Sequence, residues 1–239
     1  MFLDFDGVLC DSVSECFVSS WIAYYTHYLG SEPLKVDLAY RQIFDSLRPF
    51  IRHGEDYLVI HDALANKRPI SGQKDFDQRI AEAGVQAMQE FRALMYRVRE
   101  DLVGRERDFW ISLHRMYPHI LPSFQMCAGN PDVFILSTKK KEYVEQMLDG
   151  IAIDSDRVIS SGARSKSDVM SDLLDSTGVD KAVFIDDHID HIRRVTDGRI
   201  TSYLADWGYV RPEWLSAKDV VSIRSDQLVE MLRSYSSLS

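Results

Sequence analysis

The chain opens on a short apolar run that ends in acids, Met1 to Asp6, and Gly7 follows where a sharp turn would close a strand. A helix is expected almost at once. Ser12 and Glu15 have capping-box spacing, and Phe17, Val18, Trp21, Ile22 and Tyr25 recur at helical intervals to make one apolar face. From Ser31 to about Leu121 no strand period is visible. Stretches such as Phe76 to Leu102 instead place Ile80, Ala83, Ala87, Phe91, Leu94 and Met95 near a 3.6-residue period. This block of roughly a hundred residues therefore reads as helical, and its size is usual for a subdomain.

After Pro122 the pattern changes. Val133 to Leu136 is a compact apolar run followed by a helix over Tyr143 to Leu148. Val158 to Ser160, Val169 to Leu174, Ala182 to Ile185, a helix through Ile192, and Thr201 to Ala205 continue as β-α units, closed by Val220 to Ile223 and Leu228 to Leu232. Repeated β-α units predict an α/β fold, a Rossmann-like parallel sheet with helices on both faces. The helical block separates the first strand from the rest of its sheet, so it reads as an insertion between strands one and two. The expected division is a core of residues 1–12 and 122–239 and an all-helical cap of residues 13–121. Such an insert is expected over the carboxyl ends of the strands, where open α/β sheets bind ligands.

A chain of 239 residues can bury a core of this size without staples. Hydrophobic residues at 45% and charged residues at 27% are the proportions of an ordinary globular protein. The net charge of -9 argues against nucleic acid and anionic membranes as partners. Cys10, Cys16 and Cys127 are odd in number and form no close pair of the kind that grips zinc, which fits a reducing cytosol. No apolar run reaches the roughly 18 residues that would span a bilayer. The acids in Met1 to Asp6 do not suit a signal peptide, so a cytoplasmic location is expected.

Chemistry concentrates at predicted strand ends. In Asp4-Phe5-Asp6-Gly7-Val8 two carboxylates at i and i+2 point to the same side of a strand, where their repulsion calls for a cation. Mg²⁺ suits such oxygen donors and keeps positions open for a phosphate. Phe184-Ile185-Asp186-Asp187 repeats the arrangement, and two such strand ends in one sheet would make an acidic pocket. His188 and His191 beside it are set aside as ligands, because imidazole is more typical of softer transition-metal sites. Ser137 and Thr138 end the run Phe134-Ile135-Leu136 in hydroxyls able to donate to phosphoryl oxygens, although either could simply cap the helix that follows. Lys166, in Ser161-Gly162-Ala163-Arg164-Ser165-Lys166, is a lone lysine that alone would read as solvated surface.

Taken in order, the DFDGV cluster, a strand ending in Ser137, a lysine at 166 and a strand ending in Asp186-Asp187 resemble the four motifs of the haloacid dehalogenase superfamily. Trp207-Gly208-Tyr209 looks like a turn common in its phosphoglycolate-phosphatase-like branch. The resemblance implies a phosphatase in which Asp4 is the nucleophile and Asp6 protonates the leaving oxygen and then activates water. Ser137 and Lys166 would hold the transferring oxygens, with Gly7 and Thr138 beside the substrate. Mg²⁺ would be bound by Asp4, the backbone carbonyl of Asp6 and Asp187, with Asp186 in support. A departure is that His191 stands where many relatives carry a second acid. The resemblance also makes the insert a cap that closes over the site, within which Arg48 and Arg52 are candidates to clamp an anionic group. Tyr24, Tyr25 and Tyr28 read as packing.

The substrate class implied is a small phosphorylated metabolite, and the chain is expected as a monomer or homodimer. A phosphomutase on the same scaffold and a non-catalytic regulatory or binding protein remain open beside the phosphatase.

Overall fold

Every backbone N–H and C=O that enters a core must be paired, and here the pairing is done by one parallel sheet built around a very short first strand. The computed structural model describes residues 1–31, 38–162 and 164–236. Where the readings above run through residues 32–37, Ala163 and residues 237–239, they lie outside the described residues. The strands are Phe2–Leu3 (β1), Cys10–Asp11 (β2), Arg115–Met116 (β3), Phe134–Ser137 (β4), Val158–Ser160 (β5), Ala182–Asp186 (β6), Ile200–Ala205 (β7) and Ser222–Ile223 (β8). The sheet has six strands in the order β5-β4-β1-β6-β7-β8, and the neighbouring pairs are parallel. β1 lies at its centre, with Phe2 opposite Phe134 on one side and Phe184 on the other.

The chain divides into two compact units, Met1–Asp11 with Arg115–Ser239, and Ser12–His114. The strand pair β2-β3 accounts for where the division falls. Cys10 pairs with Met116 and Asp11 with Arg115, so the chain re-enters the first unit at Arg115, ahead of Pro122. Two-residue strands leave no period to read, which is why the stretch from Ser31 to Leu121 had shown no strand. The first strand is likewise shorter than the expected Met1 to Asp6, because the chain turns into a loop after Asp4.

In the Ser12–His114 unit the helices are Val13–Ile22 (α1), which runs on as a π-helical stretch over Ala23–Tyr28, Leu38–Leu47 (α2), Tyr57–Ala65 (α3), Gln73–Arg105 (α4) and Arg107–Ser112 (α5). α4 is interrupted at Gly84, whose φ of 80° is open to a residue without a Cβ. The capping box expected from Ser12 and Glu15 does not form: the Ser12 side chain makes no cap bond at α1. Glu15 is instead wholly buried, and its carboxylate takes two bonds from the Arg99 guanidinium of α4 at 2.7 and 2.9 Å. Ser19 Oγ donates to it at 2.7 Å and Trp110 Nε1 at 3.3 Å. A charge that has lost its water is thereby supplied with donors from three helices.

Tyr24 and Tyr25 are buried in this unit's core, as their packing role requires, around a fully buried imidazole, His61. Ser20 Oγ donates to the Cys16 carbonyl, so its contact with His61 Nε2 at 2.8 Å makes the imidazole N–H the donor there. Nδ1 then accepts from the Tyr40 hydroxyl at 2.8 Å. The ring is thus neutral, and burial pushes its pKa down to about 3. The unfolded chain binds a proton near pH 6.5 that the folded ring refuses, so stability is full above that pH and falls as pH drops toward 3. We expect a loss of about 1.4 kcal/mol per pH unit below 6.5, from this group alone. Asp56, whose carboxyl burial pushes up to about 6, contributes with the opposite sign in part of the same window. The test is therefore the difference between wild type and His61→Gln: urea midpoints at pH 7 and 4.5 should diverge between the two proteins, and parallel curves would refute the assignment.

The first unit's helices are Leu121–Cys127 (α6), Lys141–Met147 (α7), Lys166–Thr177 (α8), Ile189–Arg193 (α9), Pro212–Leu215 (α10) and Ser225–Ser236 (α11). Neither Ser137 nor Thr138 caps α7, whose N-cap residue is Lys140. Alternate strand positions serve opposite faces. Leu3, Ile135, Ile185 and Ala205 pack with Phe124 of α6 and Leu228 and Leu232 of α11. Phe2, Leu136, Phe184 and Leu204 pack with Met170 and Leu174 of α8 and Ile189 and Ile192 of α9. With both faces covered, β1, β4 and β6 are apolar along their length and polar residues appear where they stop, whereas β7 carries Thr201 and Ser202 within it. Among the described residues no helix is long and apolar enough to cross a membrane.

Candidate active site

The carboxyl ends of β1, β4, β5 and β6 bring the polar residues together. Leu3 is level with Ile135 and Ile185, so the next step of the register sets Asp4 beside Leu136 and Asp186. The Asp4 N–H donates to the Ile185 carbonyl at 2.9 Å, and its own Oδ1 accepts from the Phe5 N–H at 2.7 Å. After Phe5 the backbone folds back sharply. Leu9 and Cys10 N–H both donate to the Phe5 carbonyl at 3.0 and 2.9 Å, and Gly7 takes a φ of 83° at the bend. The buried Phe5, Val8 and Leu9 anchor this loop.

β6 ends in Asp186, which is wholly buried, and Asp187, which is nearly so. The first residue of α8 is Lys166, set there by Ser165, whose side chain caps the helix through the Asp168 N–H at 3.1 Å. Lys166 is also buried, and its ammonium lies 2.8 Å from Asp4 Oδ2 and 2.6 Å from Asp186 Oδ2. His191 Nδ1 stands 3.0 Å from the same Asp186 oxygen, and the His188 N–H donates to Asp186 Oδ1 at 2.8 Å.

The electrostatics follow from burial. Desolvation raises the Asp4 pKa, Lys166 opposes it, and the charges of Asp186 and Asp187 add to the rise. Desolvation also works against the charge on Asp186, but His191 and Lys166 hold it ionised, with a pKa below the usual carboxylate range. Lys166 stays protonated despite burial because Asp186 and Asp4 face it. One lysine is thus shared between two acids, and Asp4 is the one whose ionised form burial disfavours.

Asp187 is held by a tight backbone cradle. Its Oδ2 accepts from the Tyr209 N–H at 2.7 Å. A Cβ at Gly7 would fall 1.9 Å from Asp187 Oδ2, and one at Gly208 would fall 2.3 Å from Asp187 Cβ and 2.6 Å from the Gly7 carbonyl oxygen. Both positions must be glycine for the carboxylate to occupy its place. Tyr209 further donates from its hydroxyl to Asp11 Oδ1 at 2.9 Å, and Trp207 Nε1 donates to the Val8 carbonyl at 3.1 Å, which ties this turn to the loop after Asp4.

Ser137 ends β4 with its Oγ accepting from the Lys139 N–H at 3.1 Å, and its carbonyl accepts from Ser161 N–H at 2.9 Å. Thr138 follows, half-buried. Asp6 meets a residue that the sequence reading did not single out: Lys139, with Nζ 2.9 Å from Asp6 Oδ1. His191, set aside as a ligand, proves to be a partner of Asp186. Asp4, Asp186 and His191 each offer one atom within 4.8 Å of the others, a grouping able to face a metal ion. Arg48 and Arg52 belong to the Ser12–His114 unit. There Arg48 begins a short 3-10 turn, and Arg52 pairs with Asp77 at 2.7 Å.

No family model and no curated protein sequence matches the chain. Solved structures do match in fold. A haloacid dehalogenase-like family hydrolase of Streptococcus pneumoniae is 15% identical, with a TM-score of 0.57 and 96% of each chain covered. A "predicted phosphoglycolate phosphatase" of Haemophilus somnus 129pt is 14% identical, with a TM-score of 0.59 and 96% of each chain covered. Protein Tyrosine Kinase A of Mycobacterium tuberculosis is 16% identical, with a TM-score of 0.56, covering 97% of this chain and 96% of its own. The chain therefore has the haloacid dehalogenase-like fold, in agreement with the α/β reading of its sequence.

Proposed function

We propose that this chain is a Mg²⁺-dependent phosphatase that moves the phosphoryl group of a small phosphomonoester onto Asp4 and then to water. The observation that carries this reading is the buried Asp4-Lys166-Asp186 contact at 2.8 and 2.6 Å, on a fold shared with proteins named as hydrolases and phosphatases.

In the first half of the reaction an Asp4 oxygen forms a bond to phosphorus. The bond from phosphorus to the leaving oxygen breaks, and its electron pair stays on that oxygen, which takes a proton from Asp6. In the second half Asp6 accepts a proton from water as that water attacks the phosphorus, and Asp4 is released. Ser137 and Lys166 hold the transferring oxygens in both halves, with Thr138 and the backbone at Gly7 alongside. A preorganised donor of this kind typically contributes about 10²–10³ in rate.

The residues fit a hard divalent cation. Asp4, Asp186 and Asp187 are three buried carboxylates, of which Lys166 meets Asp4 and Asp186, and burial first and then the charges of Asp186 and Asp187 raise the Asp4 pKa, which a cation there would relieve. Asp4 and Asp187 would hold Mg²⁺ by their side chains and Asp6 by its backbone carbonyl, with Asp186 behind. Bound there, the ion would neutralise the repulsion between the Asp4 carboxylate and the phosphate dianion.

The test is release of inorganic phosphate from a panel of phosphomonoesters, with Mg²⁺ and with a chelator in its place. Turnover that needs the metal is expected, and metal-independent or absent turnover across the panel would overturn the proposal. The glycine cradle supplies a second test. Gly208→Ala should push Asp187 aside by about 1 Å and lower kcat about a hundredfold, since misplacement on this scale typically costs that much, and it should lower the Tm as well because the added Cβ also meets the Gly7 backbone. An alanine variant with wild-type kcat would show that the placement of Asp187 does not matter.

A further inference from the structure

Of three consecutive lysines after β4, two stay on the outside. Lys140 lies over the Tyr143 ring at 5.8 Å, and Lys141 pairs with Glu145 at 3.8 Å along α7. Lys139 turns inward. Its side chain is 2% exposed, its ammonium is 2.9 Å from Asp6 Oδ1, and the buried Phe5 ring lies 5.8 Å from the same nitrogen. Its backbone is fixed as well, through the bond from its N–H to Ser137 Oγ. Burying an ammonium is costly unless an ionic partner awaits it, and here that partner is the second acid of the Asp4-Phe5-Asp6 pair. The site therefore holds two inward lysines with a division of labour by position: Lys166 on Asp4 and Asp186, Lys139 on Asp6.

We propose that Lys139 is a positioning residue for leaving-group departure: it fixes one oxygen of Asp6 and holds the carboxylate that forms when Asp6 gives up its proton. This rests on the phosphatase reading, in which Asp6 serves the leaving oxygen. The step balances as described above. The Asp4–phosphorus bond forms, the phosphorus–leaving-oxygen bond breaks, and the Asp6 proton passes to that oxygen. Lys139 neither gains nor loses a proton. Its ammonium faces the new negative charge on Asp6, so its contribution should grow with the proton demand of the leaving group. A poor leaving group needs that proton, whereas an activated aryloxide departs largely without it.

The experiment compares wild type, Lys139→Met and Lys139→Arg on a series of substituted phenyl phosphates, from 4-nitrophenyl to unsubstituted phenyl, with Mg²⁺. Lys139→Met is expected to lower kcat about 30-fold on phenyl phosphate but only about threefold on 4-nitrophenyl phosphate, with KM little changed, and Lys139→Arg should recover much of the loss. A loss equal across the series, a loss confined to KM, or no loss would overturn the inference. Formation of a beryllofluoride adduct at Asp4, read by fluorine NMR, separates the possible failures. An adduct in wild type and in Lys139→Met shows an intact site, so that a flat leaving-group profile counts against Lys139 alone. No adduct in wild type would instead sink the phosphatase reading. If Lys139→Met fails to fold, Lys139→Gln is read in its place: a loss that grows from 4-nitrophenyl to phenyl phosphate is expected, and a flat profile would overturn the inference.

Discussion

Asp4→Asn is expected to lower phosphate release at least about 10⁴-fold, the scale usual for removal of a covalent nucleophile. The amide matches the carboxylate in size and can still accept the Phe5 N–H bond made by Asp4 Oδ1 at 2.7 Å. Lys166 keeps Asp186 as its partner at 2.6 Å. The fold should therefore survive. It should even gain slightly at neutral pH, because burial and the charges of Asp186 and Asp187 make the ionised Asp4 an unfavourable occupant of its own site. The measurement pairs a steady-state phosphate assay with a thermal melt. Activity lost at an unchanged or higher Tm is the expected result, and a residual rate above a hundredth of wild type would remove Asp4 from the role of nucleophile.

The second large effect lies in the helical unit and concerns stability. Arg99→Met should destabilise the Ser12–His114 unit by about 3–5 kcal/mol, because it leaves the wholly buried Glu15 carboxylate without its bidentate cation. Ser19 and Trp110 would remain as donors, but neither carries charge. The double variant Glu15→Gln with Arg99→Met should recover much of the loss, since no unpaired charge is then buried. Urea unfolding of the two single variants and the double variant gives the coupling directly. If the double variant were as unstable as the sum of the singles, the two residues would be acting independently and the ion-pair account would fail.

The difference between what was legible in the sequence and what was not is physical. The strands of the sheet could be read because both of their faces are buried, which makes them apolar runs that stop abruptly at acids or hydroxyls. Asp4, Asp186 and Asp187 stand out for that reason. Lys139 did not, because a run of three lysines has the pattern of a solvated face and only the turn after Ser137 sends one of them inward. Glu15 was legible as a polar residue at helical spacing from Ser12, yet its true partner lies 84 residues along the chain, beyond any local pattern. The β2-β3 pair escaped because two residues per strand carry no alternation. His191 was visible but assigned by chemistry alone. Its bond to Asp186 depends on the short helix α9 presenting it to the end of β6.

The position of β1 also constrains how the molecule comes into being. Phe2 and Leu3 precede every other strand of their sheet along the chain, yet they pair with residues 134–135 and 184–185. A two-residue segment has almost no stability by itself, so it must wait, unpaired and apolar, until both of its neighbours have been synthesised. The Ser12–His114 unit, which has a compact core of its own, can fold during that delay. Asp4 would then be set in place near the close of folding, and a shortened chain would carry it without Lys166 and the Ile185 carbonyl that hold it.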